Sequence, residues 1–236
     1  MKILGLESSA KSASVALVED GKILARSYQN SGLTHSRTLL PMAETMLHNC
    51  DLSMDDIGAV AVAVGPGSFT GLRIGISAAK GLAWAKEIPC AGISTLEAMA
   101  QNLAHLDNTL IVCAMDARRK QVYNALFLAE GGSLRRICED RAIALSDVAE
   151  ELKGLSYPKI VIGDGALLCY NYLQDAGIPC TLAPEHLRMQ DAVGVCLCAE
   201  TAVKEEKLLS SADLQPIYLR LSQAERERLQ KEKSDS

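Results

Sequence analysis

Two stretches of this chain share one unusual order of residues. The run Val60-Ala61-Val62-Ala63-Val64 leads into Gly65-Pro66-Gly67, and Lys159-Ile160-Val161-Ile162 leads into Gly163-Asp164-Gly165. A continuous apolar, β-branched run that ends at Gly-x-Gly before a segment with helical spacing reads as a buried strand, a tight turn and a helix N-terminus. Upstream of each copy lies a second matched pair. Residues 1–7 pass through a polar turn at 8–12 into an apolar run at 13–18. Residues 109–116 pass through 117–120 into an apolar run at 121–128. Each first strand ends on an acid, Glu7 or Asp116. Asp20-Gly21 and Gly131-Gly132 then turn the chain into a third strand. Self-similarity at domain scale, roughly a hundred residues apart, means duplication. Two similar α/β lobes are therefore expected to face each other across a cleft, the first over residues 1–107 and the second over 108–221. Residues 222–236 carry Glu, Arg, Lys, Gln and Ser with a single Leu, and read as a disordered tail.

The residue balance narrows the function. Of the 236 residues 48% are hydrophobic but only 4% aromatic, so the cores are aliphatic and stacking platforms for single-stranded nucleic acid are scarce. A net charge of −5 argues against a broad nucleic-acid-binding face. Eight cysteines stand singly or in apolar runs, without Cys-x-x-Cys or a His at metal spacing, and read as reduced core thiols. No signal segment and no apolar run near the ~20 residues of a membrane span is visible, so the expectation is a soluble, cytoplasmic protein without a membrane partner.

Two helices of the first half stand out. Over residues 36–50, Leu39, Leu40, Met42, Ala43, Met46 and Leu47 recur at helical spacing, with Pro41 in the first turn. Over residues 70–86, Gly71, Gly75 and Ala79 fall every fourth residue, with Ala78, Gly81 and Ala85 close by. Each interior glycine lowers helix stability by about 1 kcal/mol relative to alanine, so something packs against this helix at backbone distance. Apolar or small residues on more than one side mark a protein interface. The expected partner surface is Leu39, Leu40, Met42, Ala43, Met46 and Leu47 with Gly71, Ile74, Gly75, Ala78 and Leu82. Residues 94–97 (Ser-Thr-Leu-Glu) form a capping-box pattern. A last helix over 191–206 is apolar on nearly every side, as in a helix buried between layers.

Candidates for chemistry are few. Facing lobes with acid-bearing hairpins and Gly-x-Gly turns define the actin-like ATPase architecture, in which the hairpins hold phosphates and the acid binds a metal or acts as base. If a nucleotide binds, the first residues to test are Glu7, Ser8, Gly65, Gly67, Asp116, Gly163 and Gly165. Against that, neither glycine turn carries a lysine, and the basic cluster near a hairpin is Arg118-Arg119-Lys120. The structural alternative for Glu7 is a strand-end carboxylate bonded to Ser8 or Ser9; for Asp116 it is an ion pair with Arg118 or a turn cap. His35 has Leu39 one turn later, so a His-x-x-x-His metal site is absent and His35 reads as a capping or packing residue. No catalytic residue, metal site or cofactor is expected.

Several motifs together resemble one family. Residues 3–9 (Ile-Leu-Gly-Leu-Glu-Ser-Ser), Leu33-Thr34-His35-Ser36 with Leu39-Leu40-Pro41, and the run from Gly65 to Gly75 are similar to the TsaB (YeaZ) family. So are Asp116-Ala117-Arg118-Arg119 with Val122-Tyr123, Gly163-Asp164-Gly165 and Pro216-Ile217-Tyr218-Leu219-Arg220. The resemblance implies an actin-like (ASKHA, ribonuclease H-like) fold. It implies a non-catalytic partner in the synthesis of threonylcarbamoyladenosine at position 37 of tRNA. It also implies a helix bundle with the paralogous transferase TsaD, an added ATPase, TsaE, a homodimer in isolation, and contact with tRNA only through the complex. Such chains have also been called M22-type peptidases; nothing in the sequence supports peptidase chemistry. Glu7, where many actin-like ATPases carry Asp, weakens nucleotide hydrolysis. The other reading kept open is an actin-like small-molecule kinase working in its own cleft.

Overall fold

The computed structural model describes residues 1–220; the expected tail at 222–236 lies outside them. In chain order the elements are β1 (Lys2–Glu7), β2 (Ala13–Glu19), β3 (Lys22–Gln29), α1 (His35–Asn49), β4 (Ala59–Gly65), α2 (Phe69–Trp84), β5 (Cys90–Ser94) and α3 (Thr95–Ala100). Then follow β6 (Thr109–Asp116), β7 (Gln121–Glu130), β8 (Ser133–Arg136), β9 (Arg141–Ala144), α4 (Leu145–Lys153), β10 (Lys159–Ile162), α5 (Ala166–Asp175), β11 (Thr181–Leu182), α6 (Glu185–Arg188) and α7 (Ala192–Lys204).

The strands form two sheets, ordered β3-β2-β1-β4-β5 and β11-β10-β6-β7-β8, with β9 also paired to β7. In each, an antiparallel hairpin (β1–β2, β6–β7) continues into a parallel strand (β4, β10). This is the ribonuclease H-like arrangement of the actin-like fold, present twice. Hairpin chemistry is as the sequence reads: Asp20 and Gly21 both take positive φ, as do Gly131 and Gly132. Ser68 caps α2 by accepting from Gly71 N–H at 3.3 Å. Ser94 caps α3 by accepting from Glu97 N–H at 3.2 Å, but the Glu97 carboxylate pairs with Arg136 at 2.8 Å instead of closing the capping box. Two elements are missing from the sequence reading. β9 is a four-residue edge strand and α6 a single turn, both too short for periodicity to register.

Side-chain size sorts the faces of the first sheet. Val60, Val62 and Val64 of β4 join Leu4, Leu6, Leu39, Met46 and Ile76 in the core beneath α1 and α2. The alternate residues Ala59, Ala61 and Ala63 face the other way, onto Val195, Cys196 and Ala199 of α7. Where β4 presents only alanines and β1 presents Gly5 on that face, α7 settles at backbone distance. A Cβ on Gly5 would lie 2.8 Å from the Ala192 carbonyl oxygen. Gly194 of α7 presses on the Ala98 carbonyl of α3 in the same way. The opposite side of α3, through Leu96 and Met99 with Leu103 just beyond, packs on Ile111, Cys113 and Phe127 of the second sheet. The α3–α7 pair therefore sits between the sheets.

The glycine stripe of α2 has an intramolecular neighbour. Gly71 lies under the Ser8 carbonyl, and Ser8 Oγ donates to Gly71 O at 2.9 Å. A Cβ on Gly75 would collide with Ser8 Oγ. The close approach inferred from the sequence is thus made by the β1–β2 turn, and Met46, Leu39, Ala43 and Leu47 are equally buried in the chain's own core.

Two substitutions separate propensity from packing. Gly81 of α2 is exposed with nothing near its missing Cβ, so Gly81→Ala should stabilise by about 1 kcal/mol. Gly194→Ala should instead destabilise by about 2 kcal/mol, despite the same gain in propensity, because the new methyl meets a backbone carbonyl. Thermal melts should show a rise of a few degrees for the first and a fall of roughly 4–8 °C for the second.

Candidate functional site

Four turns converge between the lobes: β1–β2, β4–α2, β6–β7 and β10–α5. They border a cleft of about 540 Å³ lined by Ser9, Lys11, Gly67, Ser68, Phe69, Thr70, Asp116, Arg118, Tyr123, Asp164 and Arg220, among others. The glycine turns are held by backbone contacts. Gly65 and Gly163 adopt φ of 136° and 116°, which side chains rarely allow. Gly67 lies against Ser9, whose carbonyl accepts from Ser68 N–H at 2.7 Å. The N–H groups of Gly163 and Gly165 are engaged by the carbonyls of Arg188 (2.9 Å) and Ala114 (3.0 Å). These turns fit helix to hairpin, and the amides of Ser68, Gly163 and Gly165 already have partners.

Behind the cleft lies a buried polar layer between the first hairpin and the start of α7. Glu7, Ser8, Ser9, Ser12, Ser14, Gln190 and Asp191 are all buried. Ser14 Oγ accepts from Ala192 N–H at 2.6 Å, and Ser12 Oγ donates to Gln190 O at 3.2 Å. Asp191 caps α7 by accepting from Val193 N–H at 2.8 Å, and its other oxygen lies 2.5 Å from Arg26. Gln190 Nε2 donates to Asp164 Oδ1 at 3.2 Å. Burial raises the Asp164 carboxyl above its ordinary value, against the bond from Gln190. Of these residues, sequence reasoning singled out Glu7, Ser8 and Ser9. It missed Gln190, Asp191 and Arg26, for which the one local signal was an Asp directly before an apolar helix.

Glu7 accepts from Ser9 N–H at 2.6 Å, as the structural reading expects, but its second oxygen has no hydrogen-bond partner among the described residues. Complete burial, reinforced by the nearby Asp191 charge and opposed by the bonds from Ser9, pushes its pKa up to about 7. Asp116 is exposed and accepts from Arg118 N–H at 2.7 Å, the turn cap rather than the ion pair. His35 opens α1 with Nε2 2.8 Å from Ala10 O, and Leu39 is buried one turn on. Among the described residues no group of three or more His, Cys, Asp or Glu is placed to hold a metal, and no helix is long and apolar enough to cross a membrane. All eight cysteines are free thiols, and burial pushes those of Cys169 and Cys198 up to about 12.

The extended segment after α7 crosses the cleft. Ile217 N–H donates to Val64 O at 2.7 Å. Tyr218 stacks on Phe69 with ring centres 4.0 Å apart, and Arg73 Nε donates to Tyr218 Oη at 3.0 Å. Arg220 then reaches the Ala117 carbonyl of the second lobe. This strap ties α2 and β4 to the β6–β7 turn.

Comparison with known proteins decides the family. The model of the family "TsaD: tRNA N6-adenosine threonylcarbamoyltransferase" matches residues 28–226. The "tRNA threonylcarbamoyladenosine biosynthesis protein TsaB" of Bacillus subtilis is 32% identical, over 99% of this chain and all of that protein. The chain belongs to the TsaB family. The Escherichia coli TsaB is 31% identical, over 93% of this chain and 95% of its own. The crystal structure of YeaZ from Pseudomonas aeruginosa superposes with a TM-score of 0.77 at 26% identity, covering 92% of this chain and 99% of that one.

Glu7 makes this TsaB-family chain sensitive to pH. A carboxyl at about 7 in the fold, against an ordinary 4.5, binds its proton more tightly folded than unfolded. Its contribution is complete below pH ~4.5 and is lost as the pH rises through about 7, a change of about 3 kcal/mol. Glu7→Gln keeps the shape without the charge. It should match the wild type near pH 5 and exceed it by about 2–3 kcal/mol at pH 8 in urea unfolding. Parallel pH profiles for the two proteins would remove Glu7 as the cause.

Proposed function

We propose that the chain is a non-catalytic scaffold in tRNA threonylcarbamoyladenosine biosynthesis. It binds and steadies a TsaD-like catalytic paralogue, is joined by a TsaE-like ATPase, and pairs with itself when the paralogue is absent. The observation that carries this reading is the apolar face left on α1 and α2. Leu40 is 46% exposed and Trp84 71% exposed. Met42, Ile74 and Leu82 are half-buried at the rim of the core beneath. Leu39, Ala43, Met46, Leu47, Gly71, Gly75 and Ala78 back this face from inside. An uncovered apolar surface beside helices already anchored on a sheet suits a helix bundle with a second molecule.

The non-catalytic part is supported by the buried Glu7 and by Leu39, which fills the place of a second metal-binding histidine. The kinase alternative would place phosphate on the glycine-turn amides and an acid at the end of β1, leaving the exposed Asp116 as its remaining acid. The engaged Gly163 and Gly165 amides and the enclosed Glu7 weigh against it.

The test uses exposed positions, because Gly75→Leu or Met46→Glu would break the chain's own core. Leu40→Glu and Trp84→Glu should leave the melting temperature within a few degrees. They should abolish self-association in light scattering and weaken capture of the transferase at least tenfold, because an unpaired charge is costly to bury. Folded variants that still dimerise and capture the partner normally would place the interface elsewhere. Calorimetry of the isolated chain with Mg-ATP should give no micromolar binding. Magnesium-dependent binding lost in Asp116→Ala would favour the kinase reading.

A further inference from the structure

The two hairpin tips at the cleft arise from the same repeat and have diverged in opposite directions. The tip after β1 carries Ser8, Ser9 and Ser12, all buried against α2 and the α7 start. The tip after β6 carries Arg118, Arg119 and Lys120, all exposed, and all in the left-handed region with φ of 63°, 54° and 58°. Left-handed backbone costs a non-glycine residue roughly 1 kcal/mol. Arg and Lys also lack the short acceptor with which Asn or Asp offsets it. The turn is nevertheless held: Ala117 N–H donates to Gln121 O and Gln121 N–H to Arg118 O, each at 3.1 Å, and Leu145 N–H reaches Lys120 O at 3.3 Å. The N–H groups of Arg119 and Lys120 have no partner among the described residues. Backbone curled this way, with free N–H groups and three cationic side chains, is suited to an anion.

The surrounding charge strengthens the case. Lys11 from the first tip and Arg220 from the strap line the same cleft as Arg118, and Arg220 touches Ala117. None of these five cations forms an ion pair among the described residues, although two acids, Asp116 and Asp164, line the same cleft. On a chain of net charge −5, the run Arg118-Arg119-Lys120 concentrates positive charge at one exposed tip, and Lys11 and Arg220 line the cleft beside it. Left-handed backbone held at an exposed cationic tip motivates a functional reading of that tip.

We propose that the Arg118-Arg119-Lys120 tip, with Lys11 and Arg220, binds RNA phosphates and so holds tRNA directly, beyond the contact through the complex that the family resemblance implies. The inference rests on the tRNA-modification reading above. Point cations and backbone amides recognise phosphate, so the tip contributes affinity and positioning without reading bases.

The test compares wild type with Arg118→Asn/Arg119→Asn/Lys120→Asn. Asparagine tolerates the left-handed region, so this variant should melt no lower than wild type. A second variant, Arg118→Lys/Arg119→Lys, keeps the charge. The probe is an unmodified tRNA transcript, titrated against the chain alone and against its complex with the transferase and ATPase. The Asn variant should bind at least tenfold more weakly, with a salt dependence shallower by about two phosphate contacts, while the Lys variant stays within about threefold. Equal tRNA affinity and equal salt slope for the folded Asn variant overturn the proposal. So does loss of transferase capture with RNA affinity intact, which makes the tip a protein contact. The scaffold reading is judged separately: it fails if the wild-type chain gives no stimulation of the modification, whatever the tip does.

Discussion

Close packing of α7 on the first sheet is the contact on which the rest of the molecule depends. The helix comes from the last quarter of the chain, yet it lies on β1, β2, β4 and β5, at backbone distance where it crosses Gly5 and the alanines of β4. Gly5 and the three alanines of β4 supply the flat floor, and Gly194 supplies the matching hollow toward α3. Such contacts gain dispersion over a large area and tolerate no added methyl. Because α3 presses on the second sheet from its other side, one helix pair couples both lobes.

Seating α7 there has an electrostatic consequence. Its first turn delivers Gln190 and Asp191 to the back of the cleft, beside a carboxyl already enclosed at the end of β1. Burial alone raises the Glu7 carboxyl, and the Asp191 charge beside it adds to that. Arg26 stabilises Asp191 from outside, and Glu7 keeps its proton to near-neutral pH. Glu7 is walled in by serines.

The duplication has been put to unequal use. The first hairpin tip is small and buried, fixed to α2 through Ser8 and to α7 through Ser12 and Ser14. The second tip is long-chained, exposed and strained. The strap of residues 216–220 spans the two, joining Val64 and Phe69 on one side to Ala117 on the other. The first tip is thus built into the packing between helices, and the outer helices of the same lobe are left with an apolar face.

Local pattern alone carried much of this. The duplicated strand-and-glycine units, both hairpin turns, the cap at Ser94, the apolar α7 and the place of Leu39 one turn after His35 are all legible in residues close together in the chain. Periodicity and turn chemistry act over a few residues, so such features survive in sequence. Non-local partners do not. The glycine stripe of α2 announced a close neighbour, but only the fold shows that Ser8, 63 residues before Gly71, lies against it. The alternation of valine and alanine in β4 was visible, yet its meaning depends on which helix covers which face. Arg26, Gln190 and Asp191 became part of the Glu7 layer, and three cations on one turn met two from distant segments, only once the chain had closed on itself. Burial, charge coupling and backbone-to-backbone contact are properties of that closure.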